Sequence, residues 1–229
     1  MSDAAQTTPE TRETLVRKAA RALAKAGLVH AYGHCSARLD ASSFLVCAAK
    51  PMGMIARGEA GTPVPVEGPL PEGVLGEVRI HQQIYQRRPE VRGICRVMPP
   101  HVMALSTMRR TPQARHGFGA YFAPEPPLWD DPLLLRSDEQ AADLADLLGP
   151  ARAIVMRGNG AVTAGESLQE AVVFAWYLED AARVELEVLR CGAGETAPTL
   201  SPAEVKVRAV GTGRIYERMW EYLSDGDPE

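Results

Sequence analysis

Lysine is scarce in this chain of 229 residues: of 25 basic residues, only Lys18, Lys25, Lys50 and Lys206 are lysines. The arginines are scattered among 29 acids, and the net charge is −4. No basic run is long enough to form a nucleic-acid footprint, which excludes that class of partner. The arginine bias, with abundant alanine, points to a GC-rich coding sequence rather than to a binding function. Cysteine is sparse too. Cys35, Cys47, Cys95 and Cys191 stand far apart with no C-x-x-C pair, so zinc ribbons and redox motifs have no support. No apolar run approaches the roughly 18 residues of a membrane span, and the first residues lack the charged and apolar regions of a signal peptide. A cytoplasmic protein with reduced thiols is expected, with neither membrane nor nucleic acid as partner.

What is present is ordinary globular material. Apolar residues make up 45% and charged residues 24% of the chain, enough for a substantial core. Repeats and low-complexity segments are absent, and residues 1–229 read as a single domain with a tail at 1–8. Thr8-Pro9-Glu10 has the order cap, proline, acid that opens a helix, which Gly27 ends. Gly33–Leu39 and Ser43–Ala48 read as a strand pair. A Gly/Pro-rich loop follows, with a short strand at Val64-Pro65-Val66 whose proline places it at an edge. Residues 74–88 have helical periodicity. Ser137-Asp138-Glu139-Gln140 and Ser167-Leu168-Gln169-Glu170 are capping boxes that open helices. Ala153–Met156 and Ala161–Ala164 are strands joined by the turn Arg157-Gly158-Asn159-Gly160. Ser201-Pro202-Ala203-Glu204 opens a C-terminal helix over 200–223. Hairpin strands interleaved with helices predict an α/β fold, a three-layer α/β/α sandwich around a mixed, mainly antiparallel sheet.

Residues 91–106 organise the rest. A short apolar run delivers Arg96 and Met98 to its end, Pro99-Pro100 follows, and a helix begins near His101. Strand ends are where α/β proteins commonly carry their chemistry.

Several stretches, in this order, resemble the class II aldolase/adducin family. Gly33-His34-Cys35-Ser36-Ala37-Arg38 is similar to that family's Gly-Asn-x-Ser-x-Arg turn. Glu77 with His81-Gln82-Gln83-Ile84-Tyr85 and Arg88-Pro89-Glu90-Val91 resembles its glutamate-bearing helix, and residues 91–106 its Val-x-His-x-His…Ala-Leu-Ser segment. Arg157–Gly160 with Gly165-Glu166-Ser167-Leu168 resembles its His-Gly…Gly-x-Ser-Leu block. The resemblance implies the family's fold, a small-molecule substrate and a homotetramer with its pocket between subunits. It also implies that the three metal-ligand positions carry Arg96, Met98 and Asn159. Arginine has no lone pair for a cation, and methionine and asparagine suit hard or borderline divalent ions poorly. No metal and no cofactor are therefore expected. The paired serines that hold a sugar phosphate in the family are Leu75-Gly76 here, which argues against a phosphorylated sugar.

Four residues are candidate catalytic groups. Arg96 supplies a fixed positive charge for a carboxylate or enolate, and the alternative is a structural ion pair. Glu77 is a general acid or base if buried, and a solvated helix residue otherwise. His34 stands in the substrate-binding turn, and His116 in the loose segment His116–Phe122. Lys50, Gly53, Asn159 and Tyr121 are candidate substrate-binding residues. Their alternatives are a solvated lysine, a turn cap for Asn159 and core packing for the tyrosine. His81 reads as a helix-packing residue. His34, His101 and His116 forming a displaced metal site is a further alternative with no support from their spacing.

The function these features imply is a metal-independent carbon–carbon lyase, a decarboxylase of a small hydroxylated aromatic or enolisable carboxylic acid. Two alternatives stand beside it: another enol or carbanion reaction in the same pocket (retro-aldol cleavage, dehydration, epimerisation or cyclisation), and a non-catalytic scaffold of the adducin type.

Overall fold

The structure is a computed structural model that describes residues 9–229, so the tail at 1–8 and the Thr8 cap lie outside the described residues. Helix α1 (Pro9–Lys25) buries Val16, Ala19, Ala20 and Leu23, the face its periodicity marks as apolar. It stops where Gly27 takes φ +71°, a left-handed conformation that costs glycine little. Strands β1 (His34–Arg38) and β2 (Ser43–Val46) form the expected hairpin. Strand β3 (Thr62–Pro65) pairs with β2 on one side only, so its prolines need not donate to a ladder.

A single 3-10 turn (Gly76–Val78) leads into α2 (Arg79–Arg87), so the 74–88 periodicity is helical only in its second part. The chain continues through β4 (Gly93–Val97), α3 (Pro100–Thr107), β5 (Leu128–Trp129) and α4 (Asp138–Leu148), then β6 (Ala153–Met156), β7 (Ala161–Gly165) and α5 (Leu168–Arg190). Ser137 closes its expected capping box with Gln140, whereas Ser167 accepts from the Glu170 N–H but the Glu170 carboxylate takes the Glu166 N–H, so that box is only half formed. The C-terminal helix expected over 200–223 is broken into α6 (Pro202–Arg208) and α7 (Ile215–Ser224). The break holds Gly211 and Gly213, and each glycine weakens a helix by about 1 kcal/mol relative to alanine. Gly211 lies where a Cβ would come within 2.9 Å of the Tyr216 ring, so the chain turns back on α7 there.

Among the described residues, seven strands form one sheet in the order β3-β2-β1-β4-β7-β6-β5, antiparallel except for β5–β6. Helices α1, α5 and α7 cover one face, over a core that includes Leu23, Cys95, Val97, Phe174 and Leu178. Helices α2 and α4 cover the other, over Phe44, Ile80, Ile84, Ile94 and Leu144. The expected three-layer α/β/α architecture and mixed, mainly antiparallel sheet are what the chain forms. Among the described residues, no helix is long and apolar enough to cross a membrane.

Strand alternation decides what reaches each layer. From β1, Cys35 and Ala37 join the α5-side core, and from β4 so do Cys95 and Val97. His34, Ser36 and Arg38 on β1, with Ile94 and Arg96 on β4, are the residues of opposite parity. Gly93 brings β4 against α5: a Cβ there would sit 2.2 Å from Leu168 Cα.

Candidate active site

Arg96 and His34 face each other directly across the β1–β4 pair, which sets their side chains side by side on one face. Both are 2% exposed. Arg96 Nη1 donates to the Val97 carbonyl at 2.9 Å, and Nη2 donates to Asn159 Oδ1 at 2.9 Å. Its Nε lies 3.3 Å from Glu77 Oε2. Burial pushes the Arg96 guanidinium down from its usual range, and Glu77 opposes that; arginine stays cationic throughout. Asn159 reaches Arg96 from the β6–β7 turn, where Gly158 and Gly160 take φ +64° and +82°. Gly160 also makes room for the guanidinium, because a Cβ there would meet the Val97 carbonyl at 2.1 Å and Arg96 Nη1 at 3.0 Å.

These residues line a cleft of about 830 Å³. Its polar side carries His34, Lys50, Glu77, Arg96 and Asn159, and its apolar side Tyr32, Leu75, Met98, Leu134 and Leu135. Among the described residues, three of its buried polar atoms have no hydrogen-bond partner: His34 Nε2, Arg96 Nε and Asn159 Nδ2. Unpaired buried polar groups are costly and rare in folded proteins, and a ligand is one remedy for them. A guanidinium N–H and an amide NH₂ are donors only. The cleft floor therefore calls for a ligand with oxygen acceptors.

Behind His34 runs a buried polar chain. His34 Nδ1 is 2.9 Å from His81 Nε2, and His81 Nδ1 is 2.6 Å from Ser36 Oγ. Tyr85 Oη lies 3.0 Å from that Oγ. Burial first, then Arg96, pushes His81 down to about 3. Burial, then His81 and Arg96, push His34 well below its ordinary value of 6.5. Both imidazoles are neutral near pH 7.

Of the eight expected site residues, the cleft gathers Glu77, Arg96, His34, Lys50 and Asn159 and leaves out His116, Tyr121 and Gly53. Glu77 is not buried as anticipated; its side chain is 24% exposed and faces Arg96. Lys50 lines the cleft while its Nζ is held by both carboxylate oxygens of Glu59, at 2.8 and 2.9 Å. His116 lies on the α5 side, 3.7 Å from Asp180, because its loop folds back over that helix. Tyr121 is core: its ring packs with Phe174, Tyr177 and Tyr216, and its hydroxyl donates to the Val210 carbonyl at 2.7 Å. Gly53 sits in a 3-10 turn against Ala24 of α1, where a Cβ would meet Ala24 at 3.0 Å. His101 pairs with Glu179 of α5 at 2.7 Å, and the same carboxylate accepts the His101 and Val102 N–H groups at the start of α3. His34, His101 and His116 therefore do not come together.

Sequence reasoning missed Arg79 and Arg136 on the cleft wall. Arg79, two residues from Glu77, was within reach of spacing. Arg136 comes from the loop before α4, and no sequence motif marks it.

Comparison with known proteins agrees with this fold. The family model described as Class II Aldolase and Adducin N-terminal domain matches residues 14–186. The chain belongs to the class II aldolase and adducin family. It is 26% identical over 202 residues to the 3,4-dihydroxyphthalate decarboxylase of Terrabacter sp. (strain DBF63), covering 79% of this chain and 82% of that one. It is 28% identical over 196 residues to the Arthrobacter keyseri protein of the same name, covering 76% and 77%. Among solved structures it resembles the l-fuculose-1-phosphate aldolase of Thermus thermophilus, with TM-score 0.70, 27% identity and coverage of 82% and 98%. A second, an aldolase II superfamily protein from Pseudomonas syringae, matches with TM-score 0.75 at 21% identity over 97% and 95%, a likeness of fold. Family and relatives together make this chain an enzyme, a lyase.

The donor set of Arg96, Met98 and Asn159 does not fit a divalent ion. Arg96 places a cation among them, and its Nη2 holds the Asn159 oxygen. Among the described residues, no three His, Cys, Asp or Glu side chains are grouped to hold a metal.

Proposed function

We propose that this enzyme is a metal-independent decarboxylase of a small hydroxylated aromatic carboxylic acid. The observation that carries the reading is the buried Arg96, whose Nε–H faces Glu77 at 3.3 Å without forming a hydrogen bond, beside two polar atoms unpartnered among the described residues, His34 Nε2 and Asn159 Nδ2. The names of the curated relatives support the reaction class. Arg96 takes the substrate carboxylate through charge-assisted hydrogen bonds, and the Asn159 amide and His34 Nε2 hold a neighbouring oxygen. The substrate carboxylate and Glu77 then share one cation, and a proton taken from water and held between the two carboxylates relieves their repulsion. Glu77, partly exposed, delivers that proton to the ring carbon bearing the carboxylate. The bond from that carbon to the carboxylate breaks, its electron pair returns to the ring, and carbon dioxide leaves. One proton is consumed and one carbon dioxide released. Leu75, Met98, Leu134 and Leu135 supply the apolar lining against which the ring packs, with Leu75 and Leu134 left exposed at the rim.

The enzyme is proposed to act as a homotetramer, and exposed apolar residues at the cleft rim support a subunit contact there: Tyr32 is 69%, Leu75 41% and Leu134 54% exposed. A monomer by light scattering would overturn that part.

The test of function is a panel of hydroxybenzoate-type acids incubated with purified protein, with carbon dioxide release measured alongside elemental analysis. Release that survives chelation, without stoichiometric metal, is expected. Cleavage to an aldehyde or ketone without carbon dioxide would favour retro-aldol chemistry, the reaction class named for the Thermus structure.

A further inference from the structure

The chain of side chains behind His34 determines which of its ring nitrogens carries the proton. Tyr85 Oη lies 3.0 Å from Ser36 Oγ and 3.2 Å from the Ser36 carbonyl, so its one proton is shared by two acceptors on the same residue. The Ser36 hydroxyl proton is then free for its other neighbour, His81 Nδ1. At 2.6 Å the two atoms are within reach for the Ser36 hydroxyl to donate to the ring nitrogen. His81 therefore accepts at Nδ1 and, being neutral, carries its proton on Nε2. That proton faces His34 Nδ1 at 2.9 Å, which accepts it. A neutral His34 must then hold its own proton on Nε2, the buried atom that has no partner among the described residues and lines the cleft.

We propose that Ser36 and His81 lock His34 as an Nε2–H donor, so that the cleft floor presents three adjacent donors to a carboxylate with an ortho oxygen. His34 Nε2, Arg96 Nε and Asn159 Nδ2 are the three. His34 sits opposite Arg96 in the β1–β4 register, Asn159 is hydrogen-bonded to Arg96, and all three residues line the same cleft. A benzoate fills the Arg96 position alone, whereas a 2-hydroxybenzoate also offers an oxygen to His34. Ser36 and His81 touch no ligand in this arrangement and act as positioning residues through His34. The proposal rests on the cleft as the ligand site and not on decarboxylation itself.

The direct measurement is two-bond 1H–15N correlation of the histidine rings in the wild-type protein near pH 7.5, assigned by the peaks lost in His34→Gln and His81→Gln. Both rings are expected as neutral Nε2–H tautomers. An Nδ1–H tautomer or an imidazolium at either ring overturns the proposal, and this readout requires no variant to be active. The second measurement is binding of benzoate and 2-hydroxybenzoate by calorimetry. Wild type is expected to bind 2-hydroxybenzoate about tenfold tighter, the value of one good hydrogen bond. Ser36→Ala, with its fold checked by circular dichroism, is expected to abolish most of that preference while leaving benzoate affinity unchanged. Equal affinities in wild type, or a preference that survives Ser36→Ala with the tautomer unchanged, overturn the proposal. Tight binding without carbon dioxide release would count against the decarboxylase reading alone.

Discussion

Strands β1 and β4 present two different proteins to their two sides. Toward α5 they contribute Cys35, Ala37, Cys95 and Val97, all at most 1% exposed and packed in an apolar core. On the opposite parity the same strands carry His34, Ser36 and Arg96, also at most 2% exposed but joined by hydrogen bonds and one ion pair. Depth of burial is the same, and the physics is not. The α5 side is held by area removed from water, roughly 25 cal/mol per Å². The cleft side holds groups whose burial costs energy unless partners are supplied, and among the described residues His34 Nε2 and Asn159 Nδ2 have none. Both faces of the sheet carry an apolar core, but within β1 and β4 the packing residues and the polar cleft residues stand one position apart.

Neighbouring substitutions on β4 test that division most strongly. Arg96→Met is expected to lower turnover about 10²–10³-fold, the usual loss when a charge-stabilising donor is removed. Val97→Ala, one residue on, is expected to cost about 1–3 kcal/mol in urea unfolding while carboxylate binding persists. Full activity in Arg96→Met would remove the basis for the cleft chemistry. Next in size, Glu77→Gln is expected to reduce kcat about 100-fold with KM changed only a few-fold; a pure KM effect would reassign Glu77 to binding.

Acid should weaken the cleft side selectively. An unfolded histidine takes its proton near 6.5, while His81 in the folded chain takes it only at about 3. Between those values the unfolded state binds more protons, so stability is complete above about pH 6.5 and falls as pH falls. From pH 7.5 to 5 the loss from His81 is about 2 kcal/mol. Urea midpoints at pH 7.5 and 5 in wild type and His81→Gln check this, and the variant should show a visibly flatter dependence. The smallest effect is expected from Tyr121→Phe on the α5 side: about 1 kcal/mol for the lost hydrogen bond to Val210, with turnover unchanged. A changed turnover would show that the α5 side also serves catalysis.

Much of the fold is legible in local signals. The capping serines, the glycine stop after α1, the edge prolines of β3 and the Gly-Asn-Gly turn depend on neighbours a few residues away. The C-terminal segment reads as one helix because its capping signal is strong, yet Gly211 and Gly213 outweigh that signal in the folded chain. In the site, Arg96, Glu77, His34 and Asn159 are visible as residues in a family pattern. His116, Tyr121 and Gly53 fall elsewhere because a loop's sequence does not record which face of the sheet it folds over. His81 reads as packing, and its link to His34 spans 47 positions that no periodicity joins.

The amino-acid order by itself determined that Arg96 lies on the side opposite Cys95 and His34 on the side opposite Cys35, since a strand has a period of two; the β1–β4 register put Arg96 and His34 on the same side. The order also placed a permanent cation, Arg96, on the strand that leads into Pro99-Pro100. Only the tertiary structure decided that Ser36, His81 and His34 stand in line, and that Lys50 is tied to Glu59. Hydrogen bonds between distant segments need distances of about 3 Å, and such distances are set by how helices and strands pack, not by spacing along the chain.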